Sequence, residues 1–245
     1  MKIGFFDSGK GGLLVAKAVQ VVMPAYDYLY YGDTANVPYG DKTEDEILKL
    51  TQVGVQNLFS QGCVIVVVAC NTASVKTLPL LQQNWLPTHY SNRRLLGVVI
   101  PTVEHLVNSC TKKVLLLATK RTVDTGKYEV ELAKLQAVVK LIAQPIPELV
   151  PLIEVGNVLS AVDVAVGHIS RQLEVDPEID SVILGCTHYS LIVGDLRRIF
   201  PNLTFLAQTE IIPNKLQEYI ERHREIKSNL TTGGTFTSLF TGAEH

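Results

Sequence analysis

The sequence predicts an α/β fold of two pseudo-symmetric lobes, each a mainly parallel sheet flanked by helices, with an active site in the cleft between them. Three observations lead to this prediction. Apolar runs of strand length alternate with helical patterns along most of the 245 residues, as in parallel sheets covered by helices. A buried run that ends in a cysteine and a threonine-containing polar cluster occurs twice, in 64–74 and 181–190. The openings of the two halves, KIGFFDSGKGG and KVLLLATKRT, also share one shape: a lysine, an apolar run and a polar turn.

The individual elements follow from residue type and periodicity. The predicted strands are Lys2–Phe6, Asp27–Tyr31, Val64–Ala69, Leu95–Val99, Lys113–Ala118, Val138–Ile142, Ser181–Leu184 and Thr204–Leu206. The predicted helices are Leu13–Val22, Glu44–Ser60, Ala73–Gln83, Val103–Ser109, Asp124–Leu135, Pro147–Leu173 (with a break), Leu191–Phe200 and Glu210–Arg224. Thr43 and Glu46 form a capping box for the second helix, and Gly62 follows its end.

The organisation into lobes is predicted from this order. The stretch Leu86–Arg94 is rich in polar and turn residues and is the expected crossing point. The first lobe then comprises 1–94 with 208–245, and the second comprises 95–207. A Thr/Gly-rich tail, Thr231–Gly242, is expected to pack back on the first lobe.

The bulk composition argues against several classes of protein. The net charge is −2, with neither a basic stripe nor an acidic tail, so nucleic acid is not an expected partner. The apolar runs are too short to span a bilayer, and the opening segment lacks a secretory signal. Four cysteines without a close-set framework favour reduced thiols and a cytoplasmic location.

Cys70 and Cys186 are the main candidates for chemistry. Each follows a buried strand and precedes a helix, which places the thiol at the mouth of a sheet, where α/β proteins bind ligands. A helix N-terminus lowers the pKa of a thiol below its ordinary value of about 8.5 by stabilising the thiolate. Most free cysteines are small buried hydrophobes, and Cys63 and Cys110 are interpreted in that way. The repeated context favours function for the other two.

Several polar residues lie beside these cysteines in the sequence. His188 is two residues from Cys186 and could act as an acid or an orienting group. Asp7 ends the first strand and could orient an ammonium group or assist a thiol, although for this residue taken alone a turn or cap role is favoured. The glycines of 7–12 are expected to let backbone N–H groups approach a small anion such as a carboxylate. The dinucleotide fingerprint is incomplete there, and Asp33 alone keeps a nucleotide hypothesis open.

Metal chemistry and simple hydrolysis fit less well. The sequence contains no CxxC, and Cys186 with His188 supplies too few ligands for a structural zinc site. No metal site is therefore predicted. A Cys-His-Asp hydrolase remains an alternative, but it leaves the second cysteine unexplained.

Taken together, the motifs resemble those of the glutamate racemase family, cofactor-independent enzymes that supply D-glutamate for bacterial peptidoglycan. The motifs that carry the resemblance are Asp7-Ser8-Gly9, Pro38-Tyr39-Gly40, Cys70-Asn71-Thr72-Ala73 and Gly185-Cys186-Thr187-His188-Tyr189, in the family's order over nearly the whole chain. The resemblance implies no cofactor, glutamate as substrate and a homodimer. It implies that Cys70 and Cys186 are the catalytic bases, assisted by Asp7 and His188. The implied substrate-binding residues are Asp7, Ser8, Pro38, Tyr39, Gly40, Asn71, Thr72, Thr119, Thr122, Glu154, Thr187 and His188.

The chemistry of inversion agrees with two cysteines. Without a cofactor, one group must remove the Cα proton from one face while another delivers a proton to the opposite face, so one sulfur is a thiolate and the other a thiol. By family analogy, Cys70 takes the proton from the D isomer and Cys186 from the L isomer. The site must also stabilise a carbanion-like state, through N–H donors, hydroxyls and exclusion of water.

The sequence departs from the family's usual pattern at three places. Ser190 stands where proline is common, Ile100 where glutamate is common, and Ala207-Gln208 where a strand often ends in aspartate. These departures leave regulation and assembly open. The alternatives are an aspartate or broad-specificity racemase, and a non-catalytic amino-acid-binding or regulatory protein. Thr187-His188-Tyr189 favours glutamate over aspartate.

Overall fold

The computed structural model describes residues 1–242, which form two parallel sheets. The strands are β1 (Lys2–Asp7), β2 (Tyr28–Gly32), β3 (Cys63–Val68), β4 (Arg94–Gly97), β5 (Lys113–Ala118), β6 (Lys140–Pro145), β7 (Ser181–Gly185), β8 (Thr204–Leu206) and β9 (Phe236–Phe240). The first sheet has the order β4-β3-β1-β2-β9 and the second the order β6-β5-β7-β8. Every pairing between these strands is parallel. The predicted two-lobed α/β class is confirmed.

Helices connect the strands and cover both sheets. They are α1 (Gly12–Val22), α2 (Glu44–Ser60), α3 (Asn71–Leu80), α4 (Leu86–His89), α5 (Val99–Val107), α6 (Lys120–Asp124), α7 (Lys127–Lys134), α8 (Leu149–Glu154), α9 (Val158–Val175), α10 (Val193–Ile199), α11 (Gln208–Arg222) and α12 (Arg224–Lys227). Short 3-10 turns occupy Thr34–Asn36, Tyr39–Asp41 and Thr187–Leu191. The predicted capping box of α2 is present.

The two sheets match strand by strand. The order β2-β1-β3-β4 in the first lobe corresponds to β6-β5-β7-β8 in the second, and β9 is an addition at the edge of β2. The strand that leads to Cys70 (β3) and the strand that leads to Cys186 (β7) hold equivalent positions. Parallel strands present their carboxyl ends at one edge of a sheet, which is where α/β proteins bind ligands. Each lobe therefore contributes one cysteine, at the carboxyl edge of its own sheet.

Side-chain alternation along the strands fills the core on both faces of the first sheet. Phe5 packs with residues of α1 and α11, including Leu216. Its neighbour Phe6 packs on the opposite face with residues of α2, including Leu58. Because α11 belongs to the core of the first sheet, the chain returns to the first lobe after β8.

The first sheet extends beyond the predicted crossing point. β4 pairs with β3 in this sheet, and part of the stretch 86–94 forms helix α4 instead of a linker. Val98 belongs to the first lobe's core, whereas Val103 of α5 packs with the second. These contacts favour a crossing just after Gly97. The division into 1–94 with 208–245, and 95–207, stays a prediction.

Several element boundaries differ from those predicted, for local reasons. β6 starts at Lys140 instead of Val138, which is 98% exposed. The single helix predicted over 124–135 is divided between α6 and α7 by Gly126, whose φ of 59° is left-handed. The helical pattern from Pro147 breaks as expected, here at Gly156 with φ 77°.

The tail packs on the first lobe, as expected. Within it, β9 pairs in register with β2, from Tyr28 opposite Phe236 to Gly32 opposite Phe240. Its alternation is too weak for strand prediction from sequence, because none of its residues is fully buried and Thr237 and Ser238, on opposite faces, are both exposed. No helix within residues 1–242 has the length and apolar character needed to cross a membrane.

Candidate active site

A small cavity of about 50 Å³ lies between the carboxyl edges of the two sheets. Most of the predicted site residues line it: Ser8, Pro38, Tyr39, Gly40, Cys70, Asn71, Thr72, Thr119, Cys186, Thr187 and His188. Sequence reasoning missed six further lining residues: Val37, Asp41, Lys120, Pro147, Val150 and Pro151. Asp7, Thr122 and Glu154 do not line the cavity and lie behind residues that do. The fold thus brings both candidate cysteines to one enclosed space.

Cys70 lies at the start of α3 and is almost fully buried. Its sulfur is 3.2 Å from the hydroxyl oxygen of Ser8. Burial raises the pKa of the Cys70 thiol to about 12, and the carboxylate of Asp7 adds to this. The hydrogen bonds from Ser8 and from the backbone N–H of Ala73 oppose the shift but are weaker. The prediction that the helix N-terminus lowers this pKa is therefore wrong for the free protein, because desolvation outweighs the helix.

Cys186 precedes the 3-10 turn of 187–191 and stands in a different environment. Its sulfur is 3.7 Å from Nδ1 of His188, and Nε2 of the same ring contacts the carboxylate of Glu154. Burial alone would lower the pKa of His188, but the contacts with Cys186 and Glu154 hold that pKa well above its ordinary value. The hydrogen bond with His188 lowers the pKa of Glu154. The arrangement places an imidazolium beside Cys186, with a carboxylate behind it.

Asp7 is fully buried at the end of β1, and its carboxylate is held by three donors. Its Oδ2 accepts hydrogen bonds from the N–H groups of Gly9 (3.2 Å) and Gly12 (3.0 Å). Its Oδ1 accepts one from the Thr187 hydroxyl of the other lobe, at 3.3 Å. Burial raises the pKa of Asp7, and His188 partly offsets the rise. The N–H groups of the glycine turn thus bind a carboxyl group that belongs to the protein itself.

Gly11 allows the lobes to approach closely at this turn. A Cβ atom there would lie 2.7 Å from the backbone nitrogen of His188 and 2.7 Å from the Thr187 hydroxyl oxygen. Both distances are far shorter than van der Waals contact. The second lobe's cysteine turn can therefore rest on the first lobe's glycine turn only because residue 11 has no side chain.

Asn71 is held by two residues that sequence reasoning did not single out for this role. Its amide exchanges two hydrogen bonds of 2.8 Å with the amide of Gln208, at the start of α11. Its Oδ1 also accepts a hydrogen bond from the buried Tyr128 hydroxyl of α7, at 2.9 Å. The departure at Ala207-Gln208 marks this place in the sequence, but nothing in it points to Asn71 as the partner.

Two further groups of predicted residues interact with each other. The hydroxyls of Thr72 and Thr119 approach across the cleft to 3.1 Å, and Thr119 also contacts Thr122 at 3.0 Å. The Tyr39 hydroxyl donates to Asp33 at 2.6 Å. Asn36 donates to the same carboxylate. Asp33, considered above as a ribose ligand, therefore serves as an internal acceptor.

Comparison with known proteins places this arrangement in a family. The profile of the Asp/Glu/Hydantoin racemases matches residues 14–212. The chain belongs to this family.

Several relatives and solved structures that are named glutamate racemases match this chain over most of their length. The glutamate racemase of Paracoccus denitrificans is 37% identical over 254 residues, with 99% of this chain and 92% of the relative covered. The structure of glutamate racemase from Thermus thermophilus, in complex with beta-chloro-D-alanine, is 32% identical with a TM-score of 0.79 and covers 99% of this chain and 88% of that one. A glutamate racemase isoform from Bacillus anthracis is 26% identical with a TM-score of 0.85, covering 99% and 89%.

Two of the departures from the family pattern can be located. Ile100 lines a second, larger cavity of about 210 Å³ between α3, β4, α5 and α11, to which neither Cys70 nor Cys186 contributes. The hydroxyl oxygen of Ser190 is buried without a hydrogen-bond partner among residues 1–242. The cavity beside Ile100 is the larger of these two, but the candidate cysteines lie in the smaller one. Within the described part of the chain, no group of three or more His, Cys, Asp or Glu side chains could hold a metal ion.

Proposed function

We propose that the protein is a glutamate racemase, interconverting L- and D-glutamate by a two-base mechanism without a cofactor, with Cys70 and Cys186 as the bases. One observation carries the proposal. Two cysteines from equivalent strands of two matched sheets line the same small cavity from opposite lobes. Inversion at carbon needs proton transfer on both faces, and this arrangement supplies one sulfur for each face.

The two sulfurs have different surroundings, and this difference supports one direction of proton transfer in the resting protein. Cys70 has a pKa raised to about 12 and is a thiol at neutral pH. Cys186 lies beside the imidazolium of His188, 3.7 Å from its Nδ1, and we assign Cys186 as the base of this state. In this state Cys186 removes the Cα proton of L-glutamate and Cys70 donates a proton to the opposite face. The roles are reversed once D-glutamate has formed.

The remaining lining groups suit a bound amino acid. Backbone N–H groups at the start of α3 and the hydroxyls of Ser8 and Thr72, whose hydrogen bonds in the free protein can run in either direction, are donors for carboxylate oxygens and for the charge that develops at Cα. The ammonium group of the substrate acidifies the Cα–H. We assign Asp7 to the assistance of Cys70 and His188 to that of Cys186, with Glu154 orienting His188 from behind.

The proposal is tested by proton NMR in D2O with L-glutamate, with chiral chromatography of the product. A racemase replaces the Cα–H by deuterium and forms D-glutamate. Exchange with L-aspartate at a comparable rate would favour a broad-specificity racemase. Silence with both amino acids, together with binding by calorimetry, would contradict the proposal and indicate a binding or regulatory protein.

Substitution of each cysteine tests the two-base mechanism. We expect Cys70→Ser and Cys186→Ser each to lower kcat by about 10²- to 10⁴-fold, the range for removal of a general acid or base. Cys63→Ser is the matched control, since Cys63 is equally buried and lies at the opposite end of β3. Wild-type turnover in either single variant would refute a two-base reaction.

The biological setting is proposed from the same resemblance. D-glutamate would supply peptidoglycan synthesis, and the four free thiols are compatible with a cytoplasmic location. A homodimer is proposed by family analogy. Light scattering that gives the mass of a single chain, 27.0 kDa, would overturn it.

A further inference from the structure

The C-terminal segment is fastened at both ends of β2 by two aspartates. At the start of β2, Asp27 accepts hydrogen bonds from the N–H groups of Gly233 and Thr235 and from the Thr235 hydroxyl, at 2.6 to 3.3 Å. Just beyond its end, Asp33 accepts a hydrogen bond of 2.7 Å from the hydroxyl of Thr241. Between these points β9 pairs along the whole length of β2.

Asp33, the second fastening point, also holds the segment 34–41, which contributes Tyr39 to the cavity. The same Asp33 carboxylate that binds Thr241 accepts the Tyr39 hydroxyl, and Tyr39 lines the cavity. Thr241 also accepts a hydrogen bond from the N–H of Ala35, at 3.0 Å. One exposed threonine therefore stabilises the acceptor that holds Tyr39 and the turn that precedes it.

A second contact reaches the glycine turn. The ring of Phe240 packs on the buried ring of Tyr30, with centroids 5.8 Å apart. The Tyr30 hydroxyl donates to the carbonyl oxygen of Gly9 at 2.7 Å. Gly9 directly follows Ser8, which lines the cavity. The end of β9 thus contacts the supports of both first-lobe loops that form the site.

We propose that residues 240 and 241 are positioning residues of the substrate site, Thr241 acting on Tyr39 through Asp33 and Phe240 acting on Gly9 through Tyr30. The inference rests on the proposed function for its effect on substrate. It adds that β9, the one strand without a counterpart in the second lobe, tightens glutamate binding without touching glutamate.

The test compares Thr241→Val with Thr241→Ser, which keeps the hydroxyl, and with Ser238→Ala, an exposed position on β9. KM and kcat are measured with L- and D-glutamate, Tm by calorimetry, and hydrogen–deuterium exchange over 33–41. We expect Thr241→Val to raise KM about five-fold, the factor that corresponds to a loss of about 1 kcal/mol, and to speed exchange in that segment. kcat should match the wild type, and Tm should fall by no more than about 2 to 4 °C. All values for the other two variants should match the wild type.

Each other result overturns the inference. Equal exchange in Thr241→Val and Thr241→Ser would show that the hydroxyl does not hold the loop. Faster exchange with an unchanged KM would show that the loop's order does not reach the substrate. If the wild type does not racemise glutamate, the proposed function fails, and the exchange comparison still decides whether Thr241 orders the segment around Tyr39.

Discussion

Burial decides the ionisation state of individual side chains in this site, and Cys70 is the clearest case. Its pKa of about 12 means that the thiolate fraction rises tenfold with each pH unit through the neutral range. We expect iodoacetamide to label Cys70 about 100-fold faster at pH 9 than at pH 7, because the thiolate is the nucleophile. Mass spectrometry of the labelled peptide measures the rate. A rate that levels off between pH 8 and 9 would mean that Cys70 ionises as an ordinary thiol does.

The pair formed by His188 and Glu154 predicts a pH window of stability. The pKa of His188 is raised in the folded state. Its contribution to the free energy of unfolding is therefore complete below pH about 6.5, the pKa of the unfolded state, and is lost as pH rises through the folded pKa. The pKa of Glu154 is lowered in the folded state. Its contribution to the free energy of unfolding is therefore present above pH about 4.5 and is lost as pH falls through the folded pKa. We expect Glu154→Gln to cost about 1 to 3 kcal/mol in unfolding free energy, with the maximum between these limits.

Denaturant unfolding from pH 3 to 10 measures this difference. Glu148→Gln is the matched control, because Glu148 is exposed at the start of the same helix. A pH-independent difference between Glu154→Gln and the wild type would show that the pair is not ionised. The alkaline limb of the racemisation profile should also move to lower pH in Glu154→Gln, since His188 then loses its proton more readily.

At the scale of the elements, two glycines make opposite predictions. Gly11 begins the approach to α1 and has no room for a Cβ, whereas Gly167 lies inside α9 with nothing within 4 Å of an added Cβ. We expect Gly11→Ala to destabilise the fold by about 1 to 3 kcal/mol through overpacking. Gly167→Ala should stabilise it by about 0.5 to 1 kcal/mol, because alanine loses less backbone entropy in a helix.

Thermal unfolding of both variants provides the measurement, with a change of about 2 to 4 °C expected per kcal/mol for a chain of this size. Racemisation should fall in Gly11→Ala, since the added carbon displaces His188, and remain unchanged in Gly167→Ala. A stable and fully active Gly11→Ala would contradict the close approach of the two lobes at this turn.

How much of each element could be predicted depended on how local its cause is. The buried strands that end before Cys70 and Cys186 were predictable, because β-branched runs and turn residues are local signals. The helix expected directly after each cysteine is present at Cys70, whereas a 3-10 turn follows Cys186. β9 was not, because it forms by pairing with β2 and has no buried face of its own. The amide pair of Asn71 and Gln208 joins residues far apart in the chain, and a single sequence contains no signal for such a partner.

For the whole molecule too, features with a local cause could be predicted from the sequence, whereas those that depend on contacts between the lobes could not. The two-lobed class was predicted from the alternation of strands and helices that the sequence displays, and the matched strand orders of the two sheets agree with it. The protonation state of Cys70 was predicted in the wrong direction, because it depends on how completely the lobes bury the sulfur. Glu154 was assigned to the substrate, whereas its position behind His188 depends on how the second lobe meets the glycine turn. Properties of the cleft emerge only when both lobes are present.

Two hydrogen bonds close the cleft over a very small cavity. This closure predicts how the viscosity of the solvent affects kcat. The bonds between Thr187 and Asp7 and between Thr72 and Thr119 join the lobes across about 50 Å³ of space, well below the roughly 300 Å³ at which ligand pockets usually begin. Glutamate can therefore enter and leave only when the lobes separate, and product release of this kind often limits turnover. We expect kcat to fall as sucrose raises the solvent viscosity, whereas Cys70→Ser, slowed at the proton transfer, should be insensitive. Viscosity-independent turnover of the wild type would place the slow step in the chemistry. A protein that must open for every molecule it converts works at a speed set partly by friction with the surrounding water.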